Sequence, residues 1–333
     1  MSNKDILMKT VARLVSSPKG ILAIDESVKT CNKRFEKLGV PETEEKRREY
    51  RELLVTAPGI EEYISGYILF DETIRQSAKN GEKFISILQK KGIDVGIKVD
   101  EGLADFPPYD GEKTTVGLWG LSDRLREYKD MGAIFAKWRA VYSIGENTPS
   151  PGCVEENAIL LTKYVLMCQE MSIVPMIEPE VLMDGNHSIE KCYEATAQNL
   201  NIIFSKLKSL NAFIPGLILK TNMVISGKEA QVRAQMQRIA EMTIKCLKEN
   251  VPSDIGGIAF LSGGQSEEEA VENLNAMHKI GPLPWPLTFS YARAIQNPAL
   301  RSWAKNPEDV KTAQALLLAA AKNSSQASVG KYK

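Results

Sequence analysis

Residues 133–180 read AIFAKWRAVYSIGENTPSPGCVEENAILLTKYVLMCQEMSIVPMIEPE. The stretch opens on one apolar run, AIFAKWR at 133–139, and closes on another, SIVPMIEPE at 172–180. Between them, 155–170 (EENAILLTKYVLMCQE) carries the period of an amphipathic helix. The two flanking runs are continuous rather than alternating, which suits strands buried on both faces of a parallel sheet. Strand, helix and strand in this order form one parallel crossover unit.

The same unit repeats outward in both directions. Towards the N-terminus lie GILAID (20–25), GYILF (66–70) and DVGIKV (94–99). Towards the C-terminus lie GLILKTNM (216–223), IGGIAFLS (255–262) and PLTFSYAR (286–293). Helical patterns fill the gaps, among them 228–250 and 266–279. The second of these opens with a capping-box pair, Ser266 and Glu269. Eight strands alternating with helices predict an α/β fold, a single-domain (β/α)8 TIM barrel. A doubly wound sheet is the alternative, but no GxGxxG follows the first run and there is no Walker A motif. The barrel is expected over 1–322 with an N-terminal helix, followed by a short, mobile polar tail over 323–333. Residues 103–116 read as a loop, and the charge run 42–52 as a solvated helix face.

Composition narrows the function. The chain has 333 residues, with 42 Lys plus Arg balancing 42 Asp plus Glu. That balance argues against nucleic-acid binding through a basic surface and against a polybasic membrane anchor. No apolar stretch approaches the roughly 18 residues of a membrane span. The opening residues place Leu7, Val11 and Leu14 on one face of a helix interrupted by charges, which is not a secretory signal. Five scattered cysteines without a CxxC fit reduced thiols and a cytoplasmic location. The only histidines, His187 and His278, read as surface or helix-flanking residues. Two histidines rule out a three-His zinc site. Acid–base chemistry then falls to Lys, Glu, Asp or Tyr.

Charges recur where the apolar runs end: Asp25, Lys98, Lys137, Arg139, Glu178, Glu180, Lys220 and Arg293. In a barrel those ends converge on the active site, and a charge left unpaired there is costly. Lys137 and Lys220 lie on apolar strands, with Glu178 and Glu180 on the strand between. A lysine is a nucleophile when neutral, and both desolvation and a neighbouring cation favour that form. The reading is Schiff-base formation on Lys220 with a carbonyl substrate, Glu178 moving protons as the carbinolamine loses water. Ser262, Gly263 and Gly264 follow the seventh run and precede a helix, the setting of a phosphate site, with Arg293 to complete the clamp. Lys98, Arg139 and Arg34 form a second cationic group, read as the seat of a second phosphate.

At these residues the sequence resembles class I fructose-bisphosphate aldolase, the metal-independent Schiff-base aldolase family of glycolysis. The matching segments are GILAIDES, GYILFDET, VGIKVDEG, FAKWRAV, VPMIEPEVL, LILKTNMV, FLSGGQSEEEA and LTFSYARA, in the family's order. The resemblance implies reversible cleavage of fructose 1,6-bisphosphate to dihydroxyacetone phosphate and glyceraldehyde 3-phosphate. It implies Lys220 as the Schiff-base lysine, Glu178 as the acid–base group, and no metal or cofactor. Lys137 is then the tuning cation, and Asp25 the base for the C4 hydroxyl. Glu180 is implied as the partner that orients the lysines and Glu178. Ser262, Gly263, Arg293 and Ser290 are implied at the C1 phosphate end, and Lys98, Arg139, Arg34 and Ser27 at the C6 phosphate. A homotetramer is implied, with a sugar phosphate as the small-molecule partner.

The sequence departs from the animal members in lacking a long tail with a terminal Tyr, Tyr332 being next to last. It also has Ala292 in place of Gly and Glu101 in place of Lys. Two alternatives stay open at this point. One is another Schiff-base barrel enzyme, such as a transaldolase or deoxyribose-phosphate aldolase. The other is a non-catalytic scaffold of the actin-binding type on the same fold.

Overall fold

A computed structural model describes residues 2–333. Ten strands occur among them: β1 (Gly20–Ala23), β2 (Ile64–Leu69), β3 (Asp94–Lys98), β4 (Leu103–Asp105), β5 (Lys113–Thr115), β6 (Phe135–Tyr142), β7 (Val174–Val181), β8 (Ile218–Thr221), β9 (Gly257–Phe260) and β10 (Leu287–Tyr291). Eight of them close into a parallel barrel in the order β1-β10-β9-β8-β7-β6-β3-β2. Each of the eight apolar runs supplies one strand, so the (β/α)8 reading holds. The strands are buried along most of their length because the barrel interior and the helices cover both faces.

One mouth of the barrel is closed. The helix Asn3–Leu14 lays Leu7, Val11 and Leu14 against Phe135, Val174, Met176 and Ile218 inside the barrel. Ser65 Oγ donates to Leu14 O at 2.6 Å and pins the end of that helix. Phe135 fills the axis beside Gly96, where a Cβ would lie 2.3 Å from its ring. Glycine is therefore demanded at 96 by packing. With this mouth plugged, chemistry is confined to the C-terminal ends of the strands.

Four local expectations differ from the structure. Residues 103–116 are not simply a loop: β4 and β5 pair antiparallel, Leu103 opposite Thr115. The helix expected over 228–250 starts at Met236. Before it, Lys228 N donates to Met183 O and Glu229 N to Gly185 O, both at 2.9 Å, so those amides are committed to a neighbouring segment.

The charge run 42–52 is not a solvated face. Its helix, Glu44–Thr56, buries Arg47, Tyr50 and Arg51. Arg47 pairs with Glu72 at 2.7 Å and Arg51 with Glu26 at 2.9 Å. Finally, 323–333 is packed instead of loose. The last helix, Val310–Ala327, runs through it, and Ser324, Ser325, Ala327 and Ser328 are buried. Tyr332 exchanges two hydrogen bonds of 3.1 Å with the side chain of Asn275 through its backbone.

Candidate active site

The strand ends surround a cavity of about 500 Å³. Asp25, Ser27, Arg34, Lys98, Lys137, Arg139, Glu178, Glu180, Lys220, Ser262, Gly263, Ser290 and Arg293 line it, and Gly264, also named from the sequence, does not. They come from seven of the eight barrel strands or from the loops and helix starts that follow them, Arg34 lying on the helix Val28–Glu36. Parallel register does the aligning: Lys98 faces Lys137 across β3–β6, and Arg139 faces Glu178 across β6–β7.

At the centre, two lysines share one carboxylate. Lys220 Nζ lies 2.9 Å from Glu178 Oε1, and Lys137 Nζ lies 2.9 Å from Glu178 Oε2. Lys137 also contacts Asp25 Oδ2 at 2.7 Å. All four groups are buried. Burial disfavours the charged form of Lys137, yet Asp25 and Glu178 outweigh it and hold the ammonium well above the ordinary lysine range. Burial works against the Glu178 anion too, but Lys137, Lys220 and Arg139 outweigh it and hold the carboxyl far below its usual range. The resting centre is thus a buried array of ionised Glu178 beside an ammonium on Lys137. Lys137 is fixed as a cation, and Glu178 stands ready to accept a proton rather than give one.

The outer cations are less free than the sequence suggested. Lys98 Nζ sits 2.6 Å from Asp100 Oδ1. Arg139 Nε donates to Glu180 Oε2 at 2.6 Å. Glu180 is therefore paired with Arg139 on the neighbouring strand. Arg34 forms a very short ion pair with Glu26. It also donates to Gln296 Oε1 at 2.8 Å and to Asn297 Oδ1 at 3.2 Å. Those two residues follow Arg293 by about one turn of the same helix. Arg34 is thus tied to the helix that opens with Arg293.

The loop after β9 brings Gly263 against two charged groups. A Cβ there would meet Glu180 Oε1 at 2.7 Å and Arg293 Nη2 at 3.7 Å. The helix that follows, Glu267–His278, satisfies its own N-terminus. Ser266 Oγ accepts from Glu269 N at 3.0 Å, and Glu269 Oε2 accepts from Ser266 N at 2.7 Å. Three glutamates occupy its first turn. The helix terminus that stays open is the next one, Arg293–Lys305, whose N-cap Ala292 offers no side-chain cap and lines the cavity. Ser290 points an unpartnered, fully buried hydroxyl at the same space. Ser27 caps the helix Val28–Glu36, its Oγ 3.1 Å from Thr30 Oγ1.

Sequence reasoning missed Glu26, Thr30, Lys33, Lys37 and Asp100, all in the cavity wall or one contact behind it. Thr30 and Lys33 share a helix with Arg34 and Lys37 caps its C-terminus, and their spacing was the available signal. Nothing local marks Glu26, whose partners are 8 and 25 residues away. Both histidines lie outside the cavity and flank helices. Burial pushes their pKa values down, His278 to about 4. Among the described residues no three His, Cys, Asp or Glu side chains are grouped to hold a metal.

The family model of fructose-bisphosphate aldolase class-I matches residues 6–333. The chain belongs to the class I fructose-bisphosphate aldolase family. It is 50% identical over 328 residues to a probable fructose-bisphosphate aldolase class 1 of Xanthomonas campestris, covering 98% of each chain. It is 45% identical to fructose-bisphosphate aldolase 4, cytosolic, of Arabidopsis thaliana, covering 98% of this chain and 84% of the relative. A solved fructose-bisphosphate aldolase of Plasmodium falciparum, crystallised with TRAP and a small-molecule inhibitor, superposes with a TM-score of 0.98. It is 43% identical and the match covers 99% of this chain and 96% of that one. As an aldolase of this family the chain is a lyase, cleaving fructose 1,6-bisphosphate reversibly to two triose phosphates. Among the described residues no helix is long and apolar enough to cross a membrane.

Proposed function

We propose that the cleavage runs through a Schiff base on Lys220, without metal or cofactor. The observation that carries this reading is the pair of buried lysines bound to one carboxylate, Glu178. Lys220 gives up a proton to Glu178 and attacks the substrate C2 carbonyl, forming a carbinolamine. Glu178 returns that proton to the C2 hydroxyl, which leaves as water, and an iminium remains. Lys137, fixed as a cation, offsets negative charge at the C2 oxygen and keeps Glu178 oriented. Asp25 takes the C4 hydroxyl proton. The C3–C4 bond then breaks, its electron pair moving through C2 to the iminium nitrogen to give an enamine, and the aldehyde departs. Protonation at C3 and hydrolysis release dihydroxyacetone phosphate. Tyr332 lies outside the cavity, so the C3 proton comes from another group.

Gly263, Ser262, Arg293 and the open helix terminus at Ala292 suit the phosphate on C1, with Ser290 and Arg34 on the same side. Lys98, Arg139 and Ser27 suit the phosphate on C6. Borohydride trapping tests the central step. Protein incubated with dihydroxyacetone phosphate and EDTA, then reduced and digested, should carry a triose phosphate adduct on Lys220. Lys220→Met should carry none and lose activity by at least about 1000-fold. An unmodified, folded wild type would overturn the assignment. Neither the transaldolase nor the scaffold alternative is favoured by any feature of the site.

A cytoplasmic location is supported by five buried, unpaired cysteines, and cell fractionation checks it. A homo-oligomer, a tetramer, is proposed from the family resemblance, with Trp119, 95% exposed on the segment after β5, as a candidate contact. Sedimentation equilibrium should give a multiple of the chain mass, and Trp119→Glu should lower it; a monomeric wild type would end this reading.

A further inference from the structure

Arg34 is held at the cavity wall by a carboxylate that has a second cation behind it. Glu26 pairs with Arg34 through Oε1 and with Arg51 through Oε2, the latter at 2.9 Å. The Arg51 side chain is only 2% exposed, so this second pair is locked in the core. Tyr50 OH and the side-chain amide of Gln296 fix the surroundings. Tyr50 donates to Gln296 Oε1 at 2.9 Å, and Gln296 donates to Ala23 O at 2.5 Å. Burial disfavours the Glu26 anion, but Arg51 and Arg34 keep it ionised below the usual range.

The other outer pairs are built differently. Arg139–Glu180 and Lys98–Asp100 each match one cation to one carboxylate. Removing either cation would leave a buried carboxylate without a counter-charge in contact, at a high cost. Among these three carboxylates only Glu26 keeps a cation in contact when its outer partner leaves. Arg34 is therefore the phosphate-side cation that can change partners cheaply.

We propose that Glu26 is a specificity-determining residue of the C1 phosphate seat. It holds Arg34 while the seat is empty and yields it to a phosphate dianion, with Arg51 keeping Glu26 paired throughout. A dianion wins Arg34 from a single carboxylate charge, whereas a monoanion gains little from the exchange. Glu26 thereby filters ligands by charge and taxes every phosphate that binds. The proposal rests on the assignment of Arg34 to phosphate made above.

The test is a double-mutant cycle on inhibition of fructose bisphosphate cleavage by inorganic phosphate. Glu26→Gln should tighten inorganic phosphate about fivefold, because Arg34 is no longer held back. Arg34→Gln should weaken it about tenfold. In the Arg34→Gln background, adding Glu26→Gln should change nothing beyond about twofold. Glu26→Asp keeps a charge for Arg51 but reaches Arg34 poorly; it should tighten phosphate in the same direction and serves if Glu26→Gln does not fold. Arg51→Met should weaken phosphate, and Arg51→Lys should restore it. If Arg34→Gln weakens phosphate while both Glu26 variants leave it unchanged or weaker, the filter is refuted and the Arg34 assignment stands. If Arg34→Gln has no effect, the assignment itself falls and the filter with it.

Discussion

At the scale of single residues, the centre of this site is a balance of buried charges. Lys137 touches two carboxylates, Asp25 and Glu178, so its removal strands Asp25 and leaves Glu178 with Lys220 alone. Leaving a buried charge unpaired costs about 3–5 kcal/mol, so Lys137→Met should be assayed alongside its thermal denaturation. In folded protein the variant should lose about 100- to 1000-fold in kcat, the scale of one proton-transfer partner and its electrostatics. The pH profile gives the sharper readout. Cations hold the Glu178 pKa down, and Lys137 is the largest of them. Without it that pKa rises, Glu178 is protonated over a wider acid range, and it loses the capacity to accept the Lys220 proton there. The acid limb of kcat should therefore move to higher pH. A limb that stays in place would remove Glu178 from the proton path. The sequence showed which residues meet here, because charges at the ends of apolar runs have few other uses. It did not show that Asp25 is a direct partner of Lys137.

At the scale of elements, the loop after β9 couples the phosphate end to its neighbours. Gly264 sits at φ +78°, and a Cβ there would lie 2.4 Å from Met183 Cβ on the segment after β7. Both the backbone conformation and the contact demand glycine. Gly264→Ala should destabilise the fold by about 1–3 kcal/mol, measured by denaturant unfolding. It should also raise KM for fructose 1,6-bisphosphate more than it lowers kcat, since the Ser262–Gly263 amides shift while the lysines do not. An unchanged KM would detach this loop from substrate. The strands were legible because each is a local, largely apolar run of five to nine residues. The hairpin β4–β5 and the late start of the helix Met236–Asn250 were not. The helix start depends on Lys228 N donating to Met183 O, and the hairpin, though its own pairing is local, is anchored by Thr115 N to Asn157 Oδ1 and Thr115 Oγ1 to Arg139 O, contacts that no local window contains. The helix Glu44–Thr56 failed for the same reason, since Arg47 and Arg51 look like solvent charges until Glu72 and Glu26 are placed beside them.

At the scale of the whole molecule, both chain ends serve the barrel from outside the cavity. The N-terminal helix stoppers one mouth, and the C-terminal segment is tied across the helices around the other elements. Small polar residues at 323–333 read as a free tail because composition carries no sign of where a chain docks. The structure buries Ser324 completely and holds the Tyr332 backbone on Asn275. Ser328 Oγ donates to Pro18 O at 3.0 Å, which ties the last segment to the turn before β1. Two variants separate a structural tail from a catalytic one. Tyr332→Phe keeps the ring and the backbone contacts, so turnover should stay within about twofold of wild type. A chain ending at residue 322 loses the buried end of the last helix and the link to Pro18. Its thermal midpoint should drop by at least about 4 °C, the shift that roughly 1–2 kcal/mol produces in a large domain. Borohydride trapping on Lys220 should persist in the shortened chain at temperatures where it remains folded. A large fall in turnover for Tyr332→Phe, with stability intact, would place that hydroxyl in the reaction. It would require the tail to leave Asn275 and reach the cavity during turnover.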